Sequence, residues 1–125
     1  MDTTEVGEIA TAWMRCYRRK EWSPEREEFF WAWERLNDMV SKSPEDAWTI
    51  IETIRQSNPS EWVLSNLAAG PLEDLLAKHG PAFIDRIETL ARQDPTFRHL
   101  LGGVWQNAIR DDIWTKVMAA AGPRW

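Results

Sequence analysis

The chain has 125 residues, enough for one domain and one core, with 43% hydrophobic and 28% charged residues, the balance of an ordinary globular protein. Its net charge is −5, so long-range repulsion from phosphate argues against nucleic acid and favours a basic protein surface as partner. One cysteine excludes an internal disulfide and any multi-cysteine zinc site; no run of 18 apolar residues is present to span a membrane.

The acidic start MDTTEVGEIA has no apolar segment of signal-peptide type, so a cytoplasmic location is the expectation. Over residues 4–19 the apolar positions Val6, Ile9, Trp13, Cys16 and Tyr17 recur at helical spacing. A free cysteine on such a stripe reads as a small core residue, although Arg15, Arg18 and Arg19 are cations able to lower a thiol pKa. Trp22 follows in a charged linker, where it is positioned to staple over a Ser23 cap.

Ser23-Pro24-Glu25 and Ser43-Pro44-Glu45 are the same tripeptide 20 residues apart. Each sets a serine at the N-cap, proline at the first helical position and a carboxylate at the positive end of the dipole. The first opens a helix over 24–41 with Phe29, Trp33, Leu36 and Val40 on its stripe, flanked by Phe30 and Met39. The second opens 44–56, with Ala47, Ile50, Ile51 and Ile54. Trp31 projects away from the stripe of its helix, among Glu27, Glu34 and Asp38. A large aromatic ringed by carboxylates either packs under a further helix or anchors a partner protein.

Shorter helices are expected over 60–69, 71–79, 81–92, 95–106 and 110–121, punctuated by Asn58-Pro59, Gly70-Pro71, Gly80-Pro81 and Asp94-Pro95. In the 71–79 segment, His79 lies in register with Leu72, Leu75 and Leu76, whereas Glu73 and Asp74 occupy the first turn, where carboxylates suit the positive end of the helix dipole, and point elsewhere. A general base at His79 therefore needs a carboxylate from the next segment, Asp85 or Glu88. His99 falls among polar positions, and no histidine pair has metal-ligand spacing, so neither metal nor cofactor is expected. Gly102-Gly103 lacks the preceding strand and following lysine of a phosphate loop and reads as close packing or a helix break.

No strand-like alternation occurs. The reading is an all-α chain, 1–125 as a single helical domain, a compact bundle of about seven to eight short helices, irregular or helical-repeat-like. Residues 67–105, LAAGPLEDLLAKHGPAFIDRIETLARQDPTFRHLLGGVW, resemble a family of small bacterial domains of unknown function that carry G-P-L-E-D-L-L, H-G, I-D-R-I-E, D-P-x-F-R and G-V-W elements. The resemblance implies no activity. It marks Leu72, Leu76, Ile87, Phe97 and Trp105 as core positions and Gly70, Pro71 and Gly80 as junctions. Its polar members are Glu73, Asp74, His79, Asp85, Arg86, Glu88 and Arg98.

Three functions follow as expectations. The first is a non-enzymatic, cytoplasmic protein-interaction module, in its sharper form an immunity or antitoxin-like protein that occludes a basic toxin or nuclease. The second is an enzyme or small-ligand binder with a pocket built from the signature's polar residues around His79. The third is a self-associating scaffold that buries Trp31 and Trp125 between copies.

Overall fold

The computed structural model describes residues 1–125, and every regular element is helical. Seven α-helices occur in chain order: α1 Thr3–Cys16, α2 Pro24–Lys42, α3 Pro44–Gln56, α4 Glu61–Leu67, α5 Glu73–Gln93, α6 Pro95–Leu101 and α7 Asp111–Ala120. A π-helical turn, Ala68–Leu72, joins α4 to α5. The contacts divide the chain, read from sequence as one domain, into two compact units, Met1–Asn66 and Leu67–Trp125.

In the first unit α1, α2 and α3 pack on one another. Their buried faces follow the sequence stripes closely for α1 (Val6, Ile9, Trp13, Cys16) and α3 (Ala47, Ile50, Ile51, Ile54). The stripe of α2 is displaced. Ala32, Leu36, Met39 and Val40 are buried, whereas Phe29 and Trp33 are only half-buried and Phe30 is exposed. Ala32 takes the inward position, and the larger aromatics are left at the edges of the helix. Phe30 stacks there on Trp33, with ring centroids 5.1 Å apart.

The repeated serine-proline starts are not equivalent. Ser23 accepts a hydrogen bond from the Arg26 N–H at 3.4 Å and caps α2. Ser43 makes no side-chain cap bond. Its own N–H donates to the Met39 carbonyl at 2.7 Å, so it ends α2 while starting α3, with a backbone (φ −141°, ψ 64°) that suits neither cap well. Ser60 accepts from the Val63 N–H and Asp94 from the Thr96 and Phe97 N–H groups, as the sequence leads one to expect. Trp22 does not fold back as a staple: it is 65% exposed.

In the second unit both Gly-Pro pairs interrupt the α-helices, as the sequence leads one to expect: the helix before Gly70-Pro71 ends at Leu67, and α5 is broken into two helical stretches at His79, immediately before Gly80-Pro81. Pro71 lies inside the π turn and Pro81 inside α5. Proline has no N–H to donate and its ring crowds the preceding turn, so an uninterrupted α-helix cannot run through it. The chain accommodates Pro71 by widening to a π turn and Pro81 by a kink at His79 (φ −135°, ψ 24°). None of the glycines has a positive φ. Gly80 allows close packing instead: a Cβ there would stand 3.1 Å from Ile113 Cγ1 of α7, and Ile113 would have to give by a few tenths of an ångström. Phe83, Ile84 and Ile87 of α5, Phe97, Leu100 and Leu101 of α6, and Ile113 and Val117 of α7 form the core.

α6 ends at Leu101, five residues short of the 95–106 helix expected from periodicity, because the chain turns at Gly102-Gly103. Trp105 therefore leaves the stripe that made it a core residue and stands 59% exposed.

Candidate functional site

The signature's polar residues lie in the second unit, and one of them, Glu73, braces a distant segment of it. Glu73 is buried. Its Oε1 accepts from the Trp105 N–H at 3.2 Å and its Oε2 from Asn107 Nδ2 at 2.8 Å. It thus fixes the segment after α6, where Asn107 adopts a left-handed φ of 38°, rather than serving the helix dipole. Asp74 is half-buried. Burial pushes its carboxyl above the usual range, Lys78 opposes that, and the neighbouring Glu73 charge adds to it. The Arg86 guanidinium lies over the Phe83 ring, 4.8 Å from its centroid. Asp85 and Arg98 are exposed, and the Arg98 carbonyl accepts from the Gly122 N–H at 3.1 Å.

His79 sits at the kink of α5. Its Nε2 is buried and has no hydrogen-bond partner. Neither Asp85 nor Glu88 reaches it, so the acid–base pair conceivable across the Gly80-Pro81 corner is not formed. No three histidine, cysteine, aspartate or glutamate side chains gather as a metal-binding group.

His99 is not the solvated surface residue its polar neighbours imply. The C-terminal Trp125 stacks on its ring at 4.7 Å, with 3° between the planes, and donates from Nε1 to its carbonyl at 2.6 Å. Arg124 lies between two further indoles, 5.4 Å from the Trp105 centroid and 5.3 Å from that of Trp114.

Cys16 is buried in the first unit, where its Sγ lies 3.2 Å from the Phe29 carbonyl. Burial pushes its thiol pKa up, outweighing the lowering effect of Arg26. Arg15 and Arg18 are drawn instead to Glu25, at 3.6 and 3.2 Å. A thiol with a raised pKa holds little nucleophilic thiolate at neutral pH.

The other set named by the sequence, around Trp31, belongs to an open surface. Glu5 pairs with Arg35 at 2.6 Å and Arg15 with Glu25 at 3.6 Å, so α1 and α2 run antiparallel, side by side. Between them is a cavity of about 490 Å³ lined by these two helices alone. Its apolar surface comes from Gly7, Ala12, Phe29 and Trp31, and its polar edge from Thr4, Glu8, Thr11 and Arg15. Trp31 is 48% exposed. Glu27, Glu34 and Asp38 are exposed too, one and two turns along α2 from Trp31, although none of them lines the cavity; Asp38 pairs with Lys42 at 3.0 Å. The contribution of α1 is invisible to helical projection, which treats one helix at a time and cannot tell which neighbour lies beside Trp31.

Gly7, inside α1, lines this groove. Glycine in the middle of a helix costs roughly 1 kcal/mol relative to alanine. A Cβ at Gly7 would meet nothing within 4 Å, so no internal contact requires the residue. Gly7→Ala is accordingly expected to stabilise the protein by about 0.5–1 kcal/mol, seen as a higher midpoint in thermal or urea unfolding. An unchanged or lowered midpoint would show that α1 needs the glycine for its own structure.

Fold and surface together define an all-helical protein without strands, with an exposed aromatic groove on one unit and a signature whose buried carboxylate braces the other. Residues 19–124 match the family of unknown function DUF6869, and the chain belongs to that family. No curated protein and no solved structure matches the chain. The matched span takes in α2 to α7 but leaves out α1, which supplies six of the eight residues that line the groove.

Proposed function

We propose that the protein is a non-enzymatic protein-interaction module that binds the basic surface of another protein through the face around Trp31. The observation that carries this reading is a half-exposed tryptophan on the wall of an apolar groove, with unpaired Glu8, Glu27 and Glu34 around it. Large aromatics at the centre of such a surface supply much of the energy of protein association, and carboxylates at the rim select and steer a basic partner. In its sharper form the partner is a basic toxin or nuclease that the module occludes, and the net charge of −5 supports that choice.

The competing pocket around His79 gains less support. Glu73 is occupied in bracing the Trp105 segment, and His79 lacks the carboxylate that would make it a base. A scaffold that buries Trp125 between copies is also less well supported, because Trp125 already stacks on His99 of its own chain.

The test is affinity capture from the source cells with the wild-type protein and Trp31→Ala. A basic protein is expected to be retained by the wild type and to be held about tenfold or more less tightly by the variant. If the wild type retains no protein under gentle salt, the reading is wrong.

A further inference from the structure

Two helices packed side by side leave a furrow between them, and the element whose side chains interdigitate best with such a furrow is another helix. α3 packs on both α1 and α2. The groove beside Trp31 holds residues of α1 and α2 and none of α3, so it is a further seat of the same kind, left open. From Thr4 to Arg15 it follows α1 for about 16 Å, or three helical turns.

Gly7 is one of the residues that line it. Where Gly80, Gly102 and Gly103 occur, the chain's own atoms come so close that a Cβ would stand 3.1, 2.4 and 2.9 Å from them. At Gly7 nothing in the chain makes that demand, and the space above it is the groove. A residue that weakens its own helix and carries no side chain suits the close approach of something from outside. The charges add a direction. Arg15 is committed to Glu25 and to the Phe29 ring, 5.2 Å from its centroid, and Arg35 to Glu5. Glu8 has no partner in the groove, and Glu27 and Glu34 leave the Trp31 side of α2 negative.

We propose that this groove seats an amphipathic α-helix of a basic partner protein. An aliphatic side chain of that helix lies over Gly7 against the Trp31 ring, and a lysine or arginine one turn away meets Glu8. The proposal rests on the interaction-module reading and narrows it to one surface, one kind of secondary structure and one charge.

The probe is a synthetic helical peptide of about 14 residues, leucine along one face and lysine at its flanks, titrated calorimetrically into the full chain. Two comparators carry glutamate for lysine, or a central proline. Saturable one-to-one binding is expected, at least about tenfold tighter for the lysine helix than for either comparator. Gly7→Leu and Trp31→Ala should each weaken it about tenfold, and Glu8→Lys should abolish the preference for lysine over glutamate. Circular dichroism checks that Gly7→Leu folds; Glu8→Lys and Trp31→Ala alter exposed side chains and keep the test decisive if it does not. No saturable binding, or equal binding by Gly7→Leu, overturns the proposal. So does light scattering that finds a dimer dispersed by Gly7→Leu, which would make the occupant a second copy. In capture from source cells, a partner held equally by wild type, Trp31→Ala and Gly7→Leu overturns the groove but leaves an interaction module standing. Capture of nothing removes both.

Discussion

Glu73→Ala is expected to lower the free energy of unfolding by about 3 kcal/mol. The carboxylate is buried and accepts from two donors on a distant segment, the Trp105 N–H and Asn107 Nδ2. Bonds to a charged acceptor are each worth about 1.5–3 kcal/mol, and alanine leaves both donors without a protein partner. Part of that loss is recovered because the Trp105 side chain is exposed and water can reach the loosened segment. Glu73→Gln separates charge from shape. Its carbonyl can serve the Trp105 N–H and its amide can donate to Asn107 Oδ1 once that side chain turns over, so the partners are kept and the charge is lost, and about half the loss is expected. Urea unfolding followed by tryptophan fluorescence measures both, and an unchanged m-value would place the effect in the native state. A loss below about 0.5 kcal/mol for Glu73→Ala would mean that the carboxylate does not brace this segment. It would also return Glu73 to the pool of residues available for chemistry.

The same residue illustrates what the sequence could reveal. Position in the first turn of a helix suggested a carboxylate placed for the dipole, a local reason with a local signature. The operative contact spans 32 residues to Trp105, and nothing in spacing announces it. Helix type and extent were legible where one regular stripe faced one core, as in α1 and α3. They were less legible at the prolines. Pro71 and Pro81 mark places where an α-helix cannot run straight, but the residue type does not say whether a π turn or a kink between two helical stretches meets that constraint. Aromatic residues were the hardest. Trp33 and Trp105 have the hydrophobicity of core residues, yet α2 turns Ala32 inward and α6 ends before Trp105, so packing and helix length, not residue type, decided their exposure. Trp31 stood out because its neighbours on the helix are charged. Its partners from α1, Gly7 and Glu8 among them, could be found only once the two helices were side by side.

Gly102→Ala is expected to detach the C-terminal segment and to destabilise the protein by about 2–3 kcal/mol. Backbone conformation is not the reason: Gly102 has φ −65° and ψ −16°, values that alanine adopts readily. The obstacle is the Pro123 carbonyl oxygen, which would lie 2.4 Å from the new Cβ, with Trp125 Cδ1 at 3.2 Å. For the methyl to fit, the segment from Gly122 to Trp125 must lift. That forfeits the bonds from the Gly122 N–H to the Arg98 carbonyl and from Trp125 Nε1 to the His99 carbonyl. It also parts the stacked His99 and Trp125 rings and draws Arg124 from between Trp105 and Trp114. Each hydrogen bond contributes about 1 kcal/mol net and each aromatic contact about 0.5–1.5 kcal/mol. A double-mutant cycle isolates the cause. In a chain lacking residues 122–125 the clash has no partner, so Gly102→Ala should become neutral or slightly stabilising there, and the two changes together should cost little more than the truncation alone. Additive losses would instead place the strain within α6 itself, at the His99 carbonyl 3.2 Å from the same Cβ.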